Sequence, residues 1–461
     1  MLFHSTRGKD KDKTFEQVLM QGLADDGGLF IPDNWPKVDI NKLKELDTFL
    51  DVAKYIVPMF TQSSFDKSEV EEVLNNTWHD FSEKDLIKIF DIDESTSILE
   101  LFHGPTAAFK DFGLQLAAAF FNKTLQTQNK TAVVFGATSG DTGSAAIDAC
   151  KEFDVIKSFI LIPDGNMSEI QRKQMTTVDK SNVFPILVSG TFDDCQDIVK
   201  KGFSERSFLR DDQYLLAVNS INWVRIIGQI CYYFYASLIV NKLSHPLNFS
   251  VPTGNFGNVF ACYAASKMGM PLEKIIVAVN SNDILDRFFK NNDYSKKTVS
   301  ETISPSMDIS VASNFERLVY DFYLNRNSEA CSNLYNNFPE YGIKIDDEMW
   351  QKSEDLFMSY SINDDSTYES MKFYNNEYNY VMDPHTAVAA EAVSSLKDKL
   401  KNKTIILSTA HPAKFPNALK NAGIISDDIP DNLSKVISKE EVASKLSASE
   451  DSIFNYIEEN N

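Results

Sequence analysis

The spacing of hydrophobic residues changes near residue 130. Before that point, apolar side chains in residues 41–60 and 68–81 recur three and four positions apart, which predicts helices in a mainly helical region. Beyond it, short apolar runs alternate with amphipathic segments, and β-branched and aromatic residues are frequent in the runs. Seven runs are predicted to be strands: 131–135, 158–162, 184–188, 214–218, 248–251, 275–279 and 404–407.

Strands that alternate with helices predict an α/β protein whose parallel sheets are covered on both faces. In such sheets, ligands bind at the carboxyl ends of the strands. Residues 290–305 and 324–380 are polar and are expected to form surface helices and loops. The acidic tail from Asp428 onwards is expected to be a solvated helical end.

One stretch, Glu100–Gly113, carries the first candidate chemistry. Gly104 and Pro105 predict a turn, and the apolar residues 112–121 predict a helix that follows it. Lys110 lies at the entrance of that helix, where the helix dipole and nearby aromatic rings disfavour an ammonium group. A neutral lysine amine can form an imine with an aldehyde. The alternative is an ordinary solvated lysine at the start of a helix.

Two glycine-containing loops each follow a predicted strand and precede a helix, at residues 138–143 and 254–258. Successive backbone amides at the start of a helix form a cradle for an anion, although glycines also serve tight turns. Neither loop has the Gly-Lys-Ser/Thr of nucleotide-binding P-loops or the GxGxxG of dinucleotide sites. A reactive lysine together with a phosphate cradle is what pyridoxal phosphate requires.

Composition restricts the possible partners. The chain has 461 residues and a formal net charge of −21, which disfavours binding to nucleic acid or to anionic membranes. A phosphorylated substrate would need local cations or amide donors to overcome that field. Five scattered cysteines and six histidines show no spacing typical of a disulfide framework or a metal site. Without an apolar signal segment at the N-terminus, the sequence predicts a cytoplasmic protein.

Between about residues 14 and 416, sequence blocks in the same order resemble the threonine synthase family, and most closely its longer bacterial and fungal branch. Ala107 and Ala389 depart from the residues usual in that family. The blocks are His103–Gly113, Thr138–Gly143, Phe192–Gln196, Asn219–Asn222, Gly254–Asn258, Ser304–Ser310, Asp383–Val388 and Ser408–Phe415.

The resemblance implies an α/β enzyme of fold-type II, similar to the tryptophan synthase β-chain, with two parallel-sheet lobes and a mainly helical N-terminal region. The N-terminal region, 1–95, would pack on the large lobe. Residues 96–219 would form a smaller, mobile lobe that holds both cofactor and substrate and closes on the substrate. Residues 220–461 would form the large lobe, which binds the cofactor and carries a C-terminal helical tail.

The resemblance also implies the reaction and its residues. The enzyme would use pyridoxal 5′-phosphate to convert O-phospho-L-homoserine and water to L-threonine and phosphate, with Lys110 as the lysine bonded to the cofactor. Asp141 would lie near the cofactor 3′-oxygen and Thr409 at its pyridine nitrogen. The cofactor phosphate would be held by the backbone amides of Gly254, Asn255, Phe256, Gly257 and Asn258. The substrate would be bound by Thr138, Ser139, Gly140 and Thr142 at its carboxylate and by Asn219, Ser220 and Arg225 at its phosphate.

Simpler roles stay open for several of these residues. Asp141 could cap its own helix, Thr409 could be an ordinary strand hydroxyl, and Arg225 could pair with a surface carboxylate. Three further cations in or near the matching blocks have no role that the sequence explains: Lys173, Arg317 and Lys414. The histidines of the matching blocks are expected to be structural: His103, His385 and His411.

Two other functions compete with the first. A related phospholyase would take the same substrate but release 2-oxobutyrate, phosphate and ammonia, because water would fail to add at the β-carbon. A non-catalytic anion-binding protein could retain the fold without the chemistry. The family resemblance also implies a monomer that takes a small-molecule substrate.

Overall fold

The computed structural model describes residues 1–138, 140–165 and 167–461. Ser139, one of the predicted substrate-binding residues, lies outside the described residues. The strands are β1 (Phe3–Ser5), β2 (Phe30–Pro32), β3 (Lys88–Asp91), β4 (Thr96–Glu100), β5 (Thr131–Ala137), β6 (Ile156–Pro163), β7 (Val183–Ser189), β8 (Gln213–Leu216), β9 (Leu247–Pro252), β10 (Leu272–Val279), β11 (Phe357–Ser361), β12 (Thr404–Ser408) and β13 (Ser444–Ser447).

Helices cover both faces of the sheets and form most of the N-terminal region. The α-helices are α1 (Phe15–Gln21), α2 (Ile40–Leu43), α3 (Phe49–Thr61), α4 (Lys67–Asn75), α5 (Lys110–Gln128), α6 (Asp141–Cys150), α7 (Glu169–Thr176), α8 (Phe192–Glu205), α9 (Trp223–Asn241), α10 (Gly257–Met268), α11 (Ile284–Asn291), α12 (Phe315–Leu318), α13 (Ser328–Tyr341), α14 (Asp347–Gln351), α15 (Asp364–Tyr378), α16 (Pro384–Leu396), α17 (Pro416–Asn421), α18 (Asp431–Ile437) and α19 (Glu450–Asn460).

Two sheets organise the molecule. The larger has six strands in the order β11-β10-β9-β12-β4-β3, and all are parallel except β3. The smaller has five parallel strands in the order β13-β7-β6-β5-β8. All seven strands predicted from apolar runs are present, and the predicted parallel α/β architecture is confirmed. The loops that carry the predicted site residues follow strands of both sheets: β5 and β8 belong to the small sheet, and β4, β9 and β12 belong to the large one. A site at the carboxyl ends of these strands therefore draws residues from both sheets.

The sheets also take strands that the sequence pattern did not reveal. The pair β3 and β4 forms an edge of the large sheet. Residues up to 95, which include β3, were expected to be mainly helical, and the segment that begins with β4 was expected to start the small lobe. In the polar region 324–380, β11 pairs with β10 at the opposite edge. The tail is not simply a solvated helical end of the large lobe, because β13 pairs with β7 in the small sheet.

The most apolar helix, α9, lies in the core. It is long and apolar enough to pass a length-and-composition test for a membrane span, but 89% of its apolar window is buried within the protein. It crosses α5 where two glycines meet: a Cβ on Gly228 would lie 2.9 Å from the carbonyl oxygen of Phe112, and one on Gly113 would lie 3.0 Å from that of Arg225. The crossing therefore sets the distance between the helix that begins at Lys110 and the helix that carries Arg225.

Replacing Gly228 with valine is expected to lower the midpoint of thermal unfolding by about 3–10 °C, because the added side chain meets backbone atoms that cannot turn aside. Differential scanning calorimetry of the purified variant measures this shift. The matched control is Gly165→Val, since a Cβ there meets nothing within 4 Å. Equal midpoints for the two variants would contradict the close helix crossing.

Candidate active site

The segment before Lys110 is attached to the end of β12. The Phe109 N–H donates to the carbonyl oxygen of Thr409 at 2.9 Å, and Ala108 forms an antiparallel bridge with Ala410. Lys110 is the first residue of α5, as predicted. These contacts bring the lysine and Thr409, which is 6% exposed, to the carboxyl end of the large sheet.

A buried carboxyl group shapes the turn that leads to Lys110. Asp111 accepts from the Thr106 N–H at 2.9 Å and from the Thr106 hydroxyl at 2.6 Å. Gly104 packs directly on this carboxyl, because a Cβ there would lie 2.3 Å from Asp111 Oδ2. Burial, together with the charge of Asp148, raises the pKa of Asp111 to about 7. The glycine and the buried acid therefore fix the entry angle of α5.

Lys110 faces a cluster of charged and polar side chains and is only 11% exposed. Its Nζ lies 3.5 Å from Asp141 Oδ2 and donates to Ser306 Oγ at 3.2 Å. Burial lowers the pKa of the Lys110 amine; Asp141 opposes this effect, and the positive charges of Lys414 and Arg225 add to it. Such an amine loses its proton more readily than a surface lysine does, so the solvated alternative does not fit.

Asp141 is the centre of this cluster. Its Oδ1 accepts from Lys414 Nζ at 2.7 Å and from Gln171 Nε2 at 2.9 Å, while Oδ2 faces Lys110. Burial alone would raise the pKa of Asp141, but Lys414 and Lys110 outweigh it and hold that pKa well below the ordinary range. The carboxylate is thus directed at side chains from other elements rather than at the start of its own helix.

The loop before Asp141 is closed by its own threonine. The Thr138 hydroxyl accepts from the N–H groups of Gly140 at 3.2 Å and Gly143 at 2.9 Å. A Cβ on Gly143 would lie 2.1 Å from Thr138 Cγ2 and 2.7 Å from Met175 Sδ, so only glycine fits there. Thr142 lies half-buried in the first turn of α6. The Thr138 hydroxyl is therefore engaged in shaping the loop.

The second glycine loop follows β9 and starts α10. A Cβ on Gly254 would lie 2.9 Å from the carbonyl oxygen of Ser306, so the loop packs against the same residue that contacts Lys110. Phe256 adopts a left-handed conformation, with φ of 62°, immediately before the helix. The two glycine loops and the Lys110 helix consequently meet around Ser306.

The backbone amides of this loop are mostly open to a ligand. The Phe256 N–H donates to Thr253 Oγ1 at 3.2 Å, so one of the five predicted donors is already engaged. Within the described part of the chain, the remaining four donate no hydrogen bond: Gly254, Asn255, Gly257 and Asn258. Open amides at the start of a twelve-residue helix fit the phosphate of pyridoxal phosphate.

The predicted phosphate-binding set lies at the end of β8 and the start of α9. Asn219 is exposed and Ser220 half-buried. Arg225 is 3% exposed and donates from Nη1 to the Val218 carbonyl oxygen at 3.0 Å, while its Nε has no partner in the described structure. Burial lowers the pKa of Arg225 to about 10. No carboxylate of the described residues pairs with it, so a surface ion pair does not account for this buried cation.

Three residues of the cluster were not identified from the sequence. The side-chain amide of Gln171 donates to Asp141, a residue 30 positions away, while its backbone N–H is capped by Ser168 at the start of α7. Ser306 and Lys414 lie within matching blocks, yet nothing in their spacing indicates that both contact Asp141. Lys414 stood out in the sequence as a cation without a role, but nothing there shows that it is buried against Asp141.

His385 has the structural role that was expected. Its Nε2 accepts from the Ser306 N–H at 3.2 Å, and its Nδ1–H donates to Asp383 Oδ1 at 2.8 Å. The ring therefore links the N-terminal cap of α16 to the loop that presents Ser306 to Lys110. His103 and His411 hydrogen-bond to residues close to them in sequence.

Two of the cations without a predicted role, Arg317 and Lys173, donate to backbone carbonyl oxygens outside the cluster. Arg317 is fully buried and donates to the carbonyl oxygens of Phe30 at 2.8 Å and Ile221 at 2.5 Å, which ties the N-terminal region to the start of α9. Lys173 donates to the Ile437 carbonyl oxygen at 2.5 Å, which ties α7 to the C-terminal segment.

Comparison with known proteins gives consistent matches along the chain. Three family models match in succession: "Threonine synthase N terminus" at residues 2–78, "Pyridoxal-phosphate dependent enzyme" at 98–333 and "Threonine synthase, C-terminal" at 386–457. The threonine synthase of Pseudomonas aeruginosa is 40% identical over 445 residues, covering 96% of this chain and 94% of that protein. The Saccharomyces cerevisiae enzyme is 39% identical over 94% of this chain and 93% of that protein.

Solved structures agree with the sequence matches. The pyridoxal-phosphate-bound threonine synthase of Brucella melitensis superposes with a TM-score of 0.95 at 35% identity, covering 99% of both chains. The yeast threonine synthase gives a TM-score of 0.93 at 38% identity, covering 100% of this chain and 98% of that one. The expected fold class, fold-type II, is therefore confirmed, and the cofactor of the family is pyridoxal phosphate. With 96% of its length matched in sequence and 99% in structure, the chain belongs to the threonine synthase family of pyridoxal-phosphate-dependent enzymes.

Proposed function

We propose that this chain converts O-phospho-L-homoserine and water to L-threonine and inorganic phosphate. One observation carries the proposal: a buried lysine amine with a lowered pKa shares a site with a buried guanidinium that has no carboxylate partner in the described structure. The amine suits proton transfer at carbon, and the guanidinium suits a phosphate group. Membership of the threonine synthase family supports the same reaction.

The cofactor fits the residues that surround Lys110. Pyridoxal phosphate, when bound, would act as an electron sink that makes the α-proton of an amino acid removable. Lys110 would bond to its aldehyde, and Thr409 would offer a hydroxyl to the pyridine nitrogen. Asp141 would face the 3′-oxygen, since its Oδ2 already lies on the Lys110 side of the cluster. The open amides of the 254–258 loop would hold the phosphate.

Lys110 is the proposed base of the reaction. Once its amine is free, it lies within one site with the loop 138–142, which would bind the substrate carboxylate. The lowered pKa of the amine keeps a larger fraction neutral near pH 8, so it can take the α-proton and then the β-proton. Ser306 accepts a hydrogen bond from Nζ and holds the amine in position between these transfers.

Asn219, Ser220 and Arg225 would bind the substrate phosphate. A negative global charge makes local donors necessary, because a phosphate dianion is repelled by the protein as a whole. Arg225 supplies a charged hydrogen-bond donor that is already buried in the folded chain, so binding phosphate does not require stripping water from it. The polar groups of Asn219 and Ser220 are exposed enough to complete the set.

Lys110→Ala is expected to lower turnover of O-phospho-L-homoserine by about 1000-fold or more, because the variant lacks both the proposed base and the amine that would bond to the cofactor. Phosphate release and chromatographic identification of the amino acid measure the effect. The control is Lys403→Ala, which removes an amine that pairs with Asp91 at 2.9 Å on an outer strand of the large sheet. Formation of 2-oxobutyrate and ammonia by the wild type, instead of threonine, would identify a phospholyase and contradict the proposed reaction.

Arg225→Met is expected to lower kcat/KM for O-phospho-L-homoserine by about 100-fold and to weaken inhibition by inorganic phosphate by a similar factor. The reason is the loss of the one guanidinium that faces the site without a carboxylate partner in the described structure. Steady-state kinetics with phosphate as a competitor measures both. Arg210→Met, at an exposed position, is the control. Unchanged phosphate inhibition in Arg225→Met would show that the substrate phosphate binds elsewhere.

We also propose that the protein is a cytoplasmic monomer whose small lobe closes on a small-molecule substrate. In this proposal the small lobe is built on the sheet that holds β5 to β8 and β13, and the large lobe on the sheet that holds β3 and β4. Closure would exclude water until it adds at the β-carbon.

Small-angle scattering should give the mass of one 52.0 kDa chain and a smaller radius of gyration with phosphate and L-threonine bound. A mass of two chains would contradict the proposed monomer, and an unchanged radius of gyration would contradict the proposed closure.

A further inference from the structure

Lys414 is a buried charge that the proposed reaction does not use. Its side chain is 0% exposed and comes from the segment immediately after β12. Nζ donates to Asp141 Oδ1 at 2.7 Å and to the Thr106 carbonyl oxygen at 2.8 Å. A lysine ammonium is buried completely only where its charge is compensated, and here the compensating group is the carboxylate that also faces Lys110.

The hydrogen bond to Thr106 does not explain why a lysine is needed. The Thr106 carbonyl oxygen also accepts from Gln174 Nε2 at 2.9 Å, so it keeps a donor if Lys414 is removed. Asp141 likewise keeps the amide of Gln171. What Lys414 alone supplies is a second positive charge on Asp141, independent of Lys110.

That second charge matters because Lys110 changes its own charge. A base that takes and returns protons alternates between amine and ammonium, and a buried carboxylate paired with it alone would lose its counter-ion in each cycle. Uncompensated, the carboxylate would pull a proton onto itself or hold the proton on Lys110. With Lys414 in contact, Asp141 stays ionised in both states of Lys110.

We infer that Lys414 is a positioning residue that acts as the permanent counter-ion of Asp141 and thereby keeps the Lys110 amine free to lose its proton. The charged groups around the pair come from several elements: Lys110 and Asp111 from α5, Asp141 from α6, Arg225 from α9 and Lys414 from the segment after β12. Asp148 of α6 acts on Asp111 rather than on the pair itself. The uncharged hydroxyl of Ser306 accepts from Lys110 and donates to Asp141.

The direction of the effect follows from these contacts. Lys414 repels the Lys110 ammonium and shares the carboxylate with it, so both of its actions favour the neutral amine. Without Lys414, Asp141 pairs with Lys110 alone, and the amine keeps its proton to higher pH. Without Asp141, Lys110 faces only burial and positive charges, and it loses its proton at lower pH.

The test measures the protonation of Lys110 directly in the full-length chain freed of cofactor. Brief acetylation with acetic anhydride at a series of pH values, followed by peptide mass spectrometry, gives the pH midpoint at which Lys110 becomes reactive. We expect the midpoint to rise by about one pH unit or more in Lys414→Met, to fall in Asp141→Asn, and to stay near the wild-type value in Lys414→Arg. At pH 8 the uptake of pyridoxal phosphate by Lys414→Met should slow by about tenfold or more, the same factor as the loss of neutral amine.

A purely structural role predicts a different pattern. Lower thermal midpoints in the variants, with an unchanged midpoint for Lys110 acetylation, would overturn the inference. If Lys414→Met does not fold, the comparison of Asp141→Asn and Lys414→Arg with the wild type still decides, because an unchanged Lys110 midpoint in Asp141→Asn would equally overturn it. The inference rests on the proposed role of Lys110 as the reacting amine. The acetylation readout needs no turnover, however, so its failure is separate from a failure of the proposed reaction.

Discussion

The site depends on one buried carboxylate that is compensated by two lysines. Asp141 begins α6 on the small sheet, Lys110 begins α5, and Lys414 follows β12 of the large sheet. A buried charge that loses its partner costs several kcal/mol, so each of these elements is held to the others by the same penalty. The geometry of Lys110 is therefore fixed by contacts that cross between the sheets, as well as by its own helix.

The cluster also reconciles a strongly negative protein with anionic ligands. Three cations lie close together in the site: Lys110, Lys414 and Arg225. Among the described residues, Asp141 is the one carboxylate that pairs with any of them. The remaining positive charge is local and desolvated, where its field is strongest. Open amides at the start of α10 add partial positive charge without a further side chain. A chain whose formal net charge is −21 therefore has a local excess of positive charge at this cluster, as the proposed binding of phosphate and carboxylate groups requires.

How much the sequence could predict differs between the sheets and the cluster. Central strands such as β10, whose residues 275–279 are all buried and apolar, leave continuous apolar runs that can be recognised in the sequence. Edge strands do not: β3 and β13 are mostly exposed or half-buried, and their polar residues read as loop or helix. The position of Lys110 at a helix start could be predicted, but not its partners. Asp141, the carboxylate that Lys110 faces, lies 31 positions further along the chain, and Lys414, which pairs with the same carboxylate, lies another 273 positions on. Local sequence patterns do not encode either pairing.

The ion cluster also limits how the lobes can move. The chain passes back from the large sheet to the small one through α18, where Leu433 packs on Ala107 and Ala413, and Asn432 donates to the Gly104 and Pro105 carbonyl oxygens at 3.1 Å. A rotation that separated Asp141 from Lys414 would break a buried ion pair, at a cost of about 3–5 kcal/mol. Any closing motion of the small lobe must therefore pivot close to this pair. The amine of Lys110, which faces the same carboxylate, would then stay in place.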